Sequence, residues 1–130
     1  VEASGLDAFD WSGRDLLFID SSHACRTRGD LPYLFCRVLP ALPAGMTVHV
    51  HDIFLPYDYP NNYDPRCYTE QYLLYCLLNE SARYRTQLAT HWLSRAHGDA
   101  MRAAFGSVVG RDPRYFGASY WFGIDRPPTA

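Results

Sequence analysis

Two apolar runs of the chain end in acids and histidines: Leu16-Leu17-Phe18-Ile19-Asp20-Ser21-Ser22-His23 and Met46-Thr47-Val48-His49-Val50-His51-Asp52-Ile53-Phe54. Carboxylates hold hard cations, and imidazoles move protons near neutral pH. If Asp20 and Asp52 end neighbouring strands, about 4.8 Å apart, they can share one divalent ion such as Mg²⁺, with water and a substrate oxygen completing its shell. His23, in the loop just past Asp20, would then be placed to take a proton from a substrate hydroxyl. Plainer roles compete. Asp20 with Ser21 and Ser22 can simply cap a turn. His49 points away from Val48 and Val50 and reads as a satisfied interior histidine, while His51, nearer the edge on the same face, suits either role. The His-x-His pair would also suit a cupin or a metallohydrolase, but no Glu follows at cupin spacing and no second histidine follows Asp52. His91 and His97 stand alone on a predicted helix and read as structural or solvated.

The elements between these runs decide whether they converge. Leu31, Leu34, Phe35, Val38 and Leu39 form a helical stripe over Gly29–Leu42, with Asp30 as its cap, Pro32 in its first turn and Pro40 to Gly45 breaking it. A strand, a crossover helix and a second strand make a right-handed unit with parallel strands. Asp20 and His23 therefore share one carboxyl edge with His49, His51 and Asp52, the edge where open α/β sheets bind ligands. Strand one (about Asp15–Asp20) is apolar at every interior position, which predicts burial on both faces. Strand two covers about Thr47–His51. The Pro-, Asn-, Asp- and Tyr-rich stretch from Leu55 to Pro65 predicts a long loop over that edge, offering the rings and hydroxyls of Tyr57, Tyr59 and Tyr63. A helix begins at Thr69, with Glu70 in its first turn favouring the helix dipole and Tyr72, Leu73, Cys76 and Leu77 as its apolar face. A strand over Arg83–Ala89, a helix over Thr90–Phe105 (Trp92, Leu93, Ala96 and Met101 inward) and a strand over Gly117–Ile124 complete a β-α-β-α-β-α-β order.

At 130 residues, 48% apolar and 20% charged, the chain reads as a single globular domain over 1–130. Val1 to Asp15 reads as a polar lead-in that starts inside something longer, with Phe9 and Trp11 as packing residues. A net charge of −2 gathers neither nucleic acid nor an anionic membrane. All 12 basic residues are Arg, so no lysine nucleophile or base is available. No segment reads as a membrane span or a signal peptide. Cys25, Cys36, Cys67 and Cys76 are widely spaced, and Cys36 and Cys76 fall on predicted apolar faces; buried free thiols and a cytoplasmic location are expected.

The stretches "DLLFIDSSH", "GDLPYLFCRVLPALPAGMTVHVHDIFLPYDYP" and "TEQYLLYCLL" resemble the C-terminal half of class I S-adenosylmethionine-dependent methyltransferases. The likeness is to the small-molecule O-methyltransferases related to cephalosporin hydroxylase and the macrolide-sugar enzymes, and it runs from about Asp15 to Ile124. It implies a partial Rossmann-like methyltransferase sheet in a three-layer α/β/α arrangement. The first two strands would be the family's fourth and fifth, and the last two the antiparallel pair that closes its sheet. In metal-dependent members, an Asp ending the fourth strand and an acidic pair ending the fifth hold Mg²⁺. Asp20 and Asp52 match those places, and His51 stands where the first acid of the pair would be. The general base of catechol O-methyltransferase, three positions past the first Asp, corresponds to His23. The family's cofactor site, a glycine-rich turn after its first strand and an acid ending its second, has no counterpart here; Gly5 and Gly13 precede no helix in the needed setting.

The expected function is thus part of an S-adenosylmethionine-dependent, optionally Mg²⁺-dependent, methyltransferase acting on a small-molecule hydroxyl and inactive by itself. His23 would be the base, Asp20, Asp52 and His51 the metal ligands, and Tyr57, Tyr59 and Tyr63 part of the acceptor pocket. A strand as apolar as Leu16–Ile19 needs covering, by a second copy, by folded-back lead-in residues or by a missing N-terminal half. The alternatives are a non-catalytic oligomerising or ligand-binding module derived from this fold, and an unrelated metal-dependent hydrolase.

Overall fold

The computed structural model describes residues 5–6, 9–109 and 117–127. Strand β1 (Leu16–Ile19) leads through a loop to a continuous helical segment: α1 (Asp30–Tyr33), a π-helical stretch (Leu34–Val38) and α2 (Leu39–Ala41). The π-helical stretch precedes Pro40, which has no N–H to continue the α-helical register. Strand β2 (Thr47–Val50) follows, then a 3-10 turn (Asn61–Arg66) within the tyrosine loop, then α3 (Glu70–Glu80) and β3 (Tyr84–Ala89). Helices α4 (Thr90–Ala96) and α5 (Gly98–Val109), split at His97 where one helix was expected, precede β4 (Tyr120–Ile124).

Among the described residues the sheet has four strands in the order β1-β2-β4-β3. β1 and β2 are parallel, with Phe18 opposite His49, as a helical crossover between them requires. β4 runs antiparallel to both β2 and β3, and the β3–β4 register slips between Thr86 and Leu88. Side-chain alternation assigns the faces. Ile19, Val48, Val50, Phe122 and Ile124 point to one face and join Leu31, Val38, Leu39 and Leu74 in a single core, so the α1–α2 segment and α3 lie in one layer on that face.

The other face departs from expectation. β1 is an edge strand, and Leu16 and Phe18 are 50% and 53% exposed. Only Leu17 and Ile19 of that apolar run turn into the core. The described residues therefore build two layers at β1 rather than three, and the run's apolar character exceeds what this sheet buries. Of the lead-in, Leu6 and Trp11 pack against the core, while Phe9 is exposed.

The inward face of α3 also differs. Glu70, Gln71 and Leu74 are buried and Leu73, Leu77 and Leu78 pack beside them, whereas Tyr72 and Cys76 point to solvent. The cause is polar: Gln71 Oε1 accepts the Phe54 N–H at 3.0 Å and Gln71 N donates to the Tyr59 hydroxyl at 3.1 Å. Buried polar groups that are fully paired outcompete an apolar stripe for the inside position. All four cysteines are free, as expected, but exposed rather than buried. On α4 and α5, Met101 is buried as expected, while Trp92 and Ala96 are exposed.

Candidate functional site

The loop after β1 is shaped by its own hydroxyls. The Asp30 carboxylate, instead of capping its helix from outside, accepts from the Ser22 N–H at 2.7 Å, from Ser22 Oγ at 2.5 Å and from the Leu31 N–H at 3.0 Å. These bonds hold it below the usual carboxylate range, against burial, which pushes it up. Ser21 Oγ accepts the His23 N–H at 3.0 Å and donates to Glu70 Oε1 at 2.9 Å. The His23 carbonyl in turn accepts the N–H groups of Thr69 and Glu70, at 2.7 and 3.2 Å. The loop after β1 is thereby stitched to the start of α3.

His23 and Asp52, just past the ends of the two parallel strands, both have left-handed backbones, with φ of 57° and 55°. His and Asp tolerate that region better than most residues, at a cost of order 1–3 kcal/mol. The effect is to turn both side chains toward one point.

At that point the His23 side chain is buried and ringed by carboxylates. Nδ1 lies 2.7 Å from Glu70 Oε2, and Nε2 lies 3.2 Å from Asp20 Oδ1 and 3.9 Å from Asp52 Oδ2. The Tyr68 ring covers one face, with centroids 4.4 Å apart. His51 Nδ1 stands 3.2 Å from Asp52 Oδ1 and 4.0 Å from Asp20 Oδ1, and the Tyr63 hydroxyl donates to Asp52 Oδ1 at 3.3 Å. Burial pushes Glu70 above the ordinary carboxylate range, opposed by its bonds to His23 and Ser21. An ionised Glu70 accepts from Nδ1–H, which selects one tautomer and leaves Nε2 beside Asp20 and Asp52.

Two clefts flank Tyr63. One, about 600 Å³, is lined by His51, Asp52, Phe54, Asn62, Tyr63 and His91 among others. Burial lowers the pKa of His91, and Arg95 adds to this. The other, about 390 Å³, is lined by Asp58, Tyr59, Tyr63, Asp64, Tyr68 and Tyr72 with Asn61 and Cys67.

Asp20, His23, His51 and Asp52 thus come together at the carboxyl edge, joined by Tyr63 and, through its neighbour Tyr68, by Tyr59. Tyr57 goes elsewhere: its ring lies 5.7 Å from His91 and under the Arg95 guanidinium at 4.8 Å. His49 lies on the opposite face from Val48 and Val50 as expected, stacked on Trp121 at 4.1 Å, but its buried Nε2 has no partner, so it is not a satisfied interior histidine.

Glu70 and Tyr68 are the residues that sequence reasoning missed. Glu70 was legible only as a carboxylate in a helix's first turn; its partner lies 47 residues away, and no local pattern announces it. Asp20, Asp52 and His51, the expected metal ligands, lie near one another, with His51 Nδ1 between the two carboxylates, but among the described residues no group of three or more His, Cys, Asp or Glu side chains is arranged as a metal-binding cluster. Both aspartates face an imidazole nitrogen instead. No helix among the described residues is long and apolar enough to cross a membrane.

Comparison of the chain with protein-family models, with curated proteins and with solved structures found no match.

Proposed function

We propose that the chain is the acceptor-side part of an S-adenosylmethionine-dependent methyltransferase acting on a small-molecule hydroxyl. The observation that carries the reading is the buried His23, held by Glu70 at 2.7 Å on one nitrogen and presenting the other beside Asp20 and Asp52 at the sheet's carboxyl edge. The sheet supports it as well. Two parallel strands followed by an antiparallel closing pair is the order that the resemblance in "DLLFIDSSH" and "HVHDIFLPYDYP" implies.

In this reading an acceptor hydroxyl enters from the clefts beside Tyr63, and His23 Nε2 takes its proton while Nδ1–H stays on Glu70. The imidazolium so formed lies among three carboxylates, and the oxygen left behind is the stronger nucleophile. Tyr63 and Asp52 line the approach, and positioning supplies most of the rate. The cofactor, when bound, supplies the electrophilic methyl group. These 130 residues offer no glycine-rich strand–turn–helix to hold it, so no step here runs through it, nor through a metal ion.

The test is twofold. Calorimetry on the chain with S-adenosylmethionine should show no binding; tight binding would overturn the acceptor-side reading. With any coding sequence upstream of Val1 restored, labelled methyl transfer to phenolic or sugar hydroxyls should appear, and fall roughly 100-fold in His23→Asn. Cofactor binding without transfer to any hydroxyl, or transfer indifferent to His23, would refute it. A non-catalytic oligomerising module is the second reading, favoured by the exposed Leu16 and Phe18 on edge strand β1. Self-association of a chain that stays inert with its upstream sequence restored would select it.

A further inference from the structure

The cleft of about 390 Å³ is walled by four tyrosine rings and two carboxylates, a composition unlike that of its neighbour. Tyr59 is the hub: its ring lies 6.0 Å from Tyr63, nearly parallel, 5.9 Å from Tyr68 edge-on and 5.8 Å from Tyr72 edge-on. Asp58 accepts the Tyr72 hydroxyl at 2.6 Å, which ties a carboxylate to the rim, and Asp64 lines the same cleft. Aromatic faces carry negative charge density, and several of them joined by carboxylates make a receptor for a weakly hydrated cation.

The chain itself already places a cation on this surface. The Arg66 guanidinium lies 4.5 Å from the Tyr63 ring centroid and 5.7 Å from that of Tyr68. The phenols report the same field. Tyr72 is held above its ordinary pKa, first by its bond to Asp58 and further by the Asp58 and Asp64 charges, and Tyr63 by burial and by Asp52. The rings therefore stay neutral, and the potential around them disfavours anions.

From this juxtaposition of four tyrosine rings, two aspartates and a stacked guanidinium, we infer that the cleft is a subsite for an organic ammonium group. Its place beside His23 comes through Tyr68, which covers the imidazole, and Tyr63, which bonds Asp52. The subsite rests on the acceptor reading for its purpose: the ligand is an amine-bearing hydroxyl compound whose cationic end is held here while its hydroxyl stands at His23. Arg66, exposed at the end of the 3-10 turn, competes with that ligand for the faces of Tyr63 and Tyr68.

Titration of the 130-residue chain with choline, followed by the ring resonances of its tyrosines, tests this. The control is 3,3-dimethylbutan-1-ol, the neutral carbon isostere. Choline is expected to shift the rings of Tyr59, Tyr63, Tyr68 and Tyr72 saturably and to bind at least roughly fivefold more tightly than the isostere. Asp64→Asn should weaken choline about threefold, and Arg66→Ala should strengthen it by clearing two ring faces. Equal affinity for the two probes, no saturable shift, or an Arg66→Ala variant that binds choline no better than wild type would overturn the inference. All of these readouts are of binding alone, so such a failure leaves His23 and Glu70 untouched, and loss of methyl transfer on changing His23 would leave the subsite untouched.

Discussion

Removing Glu70 is the perturbation with the largest calculable effect. Its side chain is 0% exposed, lies 2.7 Å from His23 Nδ1 and accepts from Ser21 Oγ at 2.9 Å. Glu70→Ala strands Nδ1 of an imidazole that is itself buried. With Nδ1 and Ser21 Oγ both losing their buried partner, the cost should be about 2–3 kcal/mol, a large share of the order of 5–15 kcal/mol that holds a domain of this kind together. Glu70→Gln is a different experiment. Its carbonyl can still accept from Nδ1–H while its amide donates to Ser21 Oγ, so the loss should be about 1 kcal/mol.

A double-mutant cycle with His23→Asn, in which Asn tolerates the left-handed φ of 57°, should return a coupling of about 2 kcal/mol. Urea unfolding followed by tryptophan fluorescence measures all of these, provided the slope stays constant across variants. The sign with pH follows from burial, which raises the folded-state pKa of Glu70 above its ordinary 4.5. The contribution from keeping it protonated is complete below 4.5 and is lost as pH rises through the folded value. The wild type should therefore lose ground to Glu70→Gln as pH rises from there. A Glu70→Ala variant within about 1 kcal/mol of wild type, or a coupling below about 0.5 kcal/mol, refutes the pairing.

His49→Phe keeps a ring stacked on Trp121 and removes a buried nitrogen without a partner, so a gain of about 1–2 kcal/mol is expected. Because burial lowers the His49 pKa below 6.5, its neutral form contributes stability above 6.5 that is lost as pH falls through the folded value. The acid limb of a melting-temperature profile should accordingly flatten in the variant, and an unchanged limb with no gain would contradict this. Lysines in place of Leu16 and Phe18 should cost under about 0.5 kcal/mol each while raising solubility, since both are half exposed on an edge strand; unfolding of the double variant would show that this face is covered. Arg83→Met leaves the Leu42 and Arg126 carbonyls without their guanidinium donors, and chemical denaturation should show a loss of about 2 kcal/mol; a neutral substitution would mean that water replaces the guanidinium.

Much of the scaffold was legible because the signals are local. The apolar runs before Asp20 and Asp52, the stripe from Leu31 to Leu39 and the Asn- and Pro-rich tyrosine loop each announce their element within a few residues. Two elements depart from their local pattern, each for a tertiary reason. Tyr72 and Cys76 were expected inside because apolar spacing favours them, yet α3 is rotated by the bonds of Gln71 to Phe54 and Tyr59. Leu16 and Phe18 were expected to be buried because they are apolar, yet no described strand or helix covers them.

By itself the sequence determined that the acid and histidine of β1 would share an edge with those of β2. A helix between two neighbouring strands carries the chain back to the end of the sheet it started from, so the strands run parallel and their carboxyl ends share an edge, which needs no knowledge of the rest of the molecule. Only the tertiary structure decided what surrounds the imidazole. Glu70 and Tyr68 reach His23 from the far side of a long loop, and the left-handed turns at His23 and Asp52 aim both side chains at one point. A buried hydrogen bond is made by whichever partner the packed chain brings within 3 Å, and proximity in space leaves no mark on neighbouring residues in sequence.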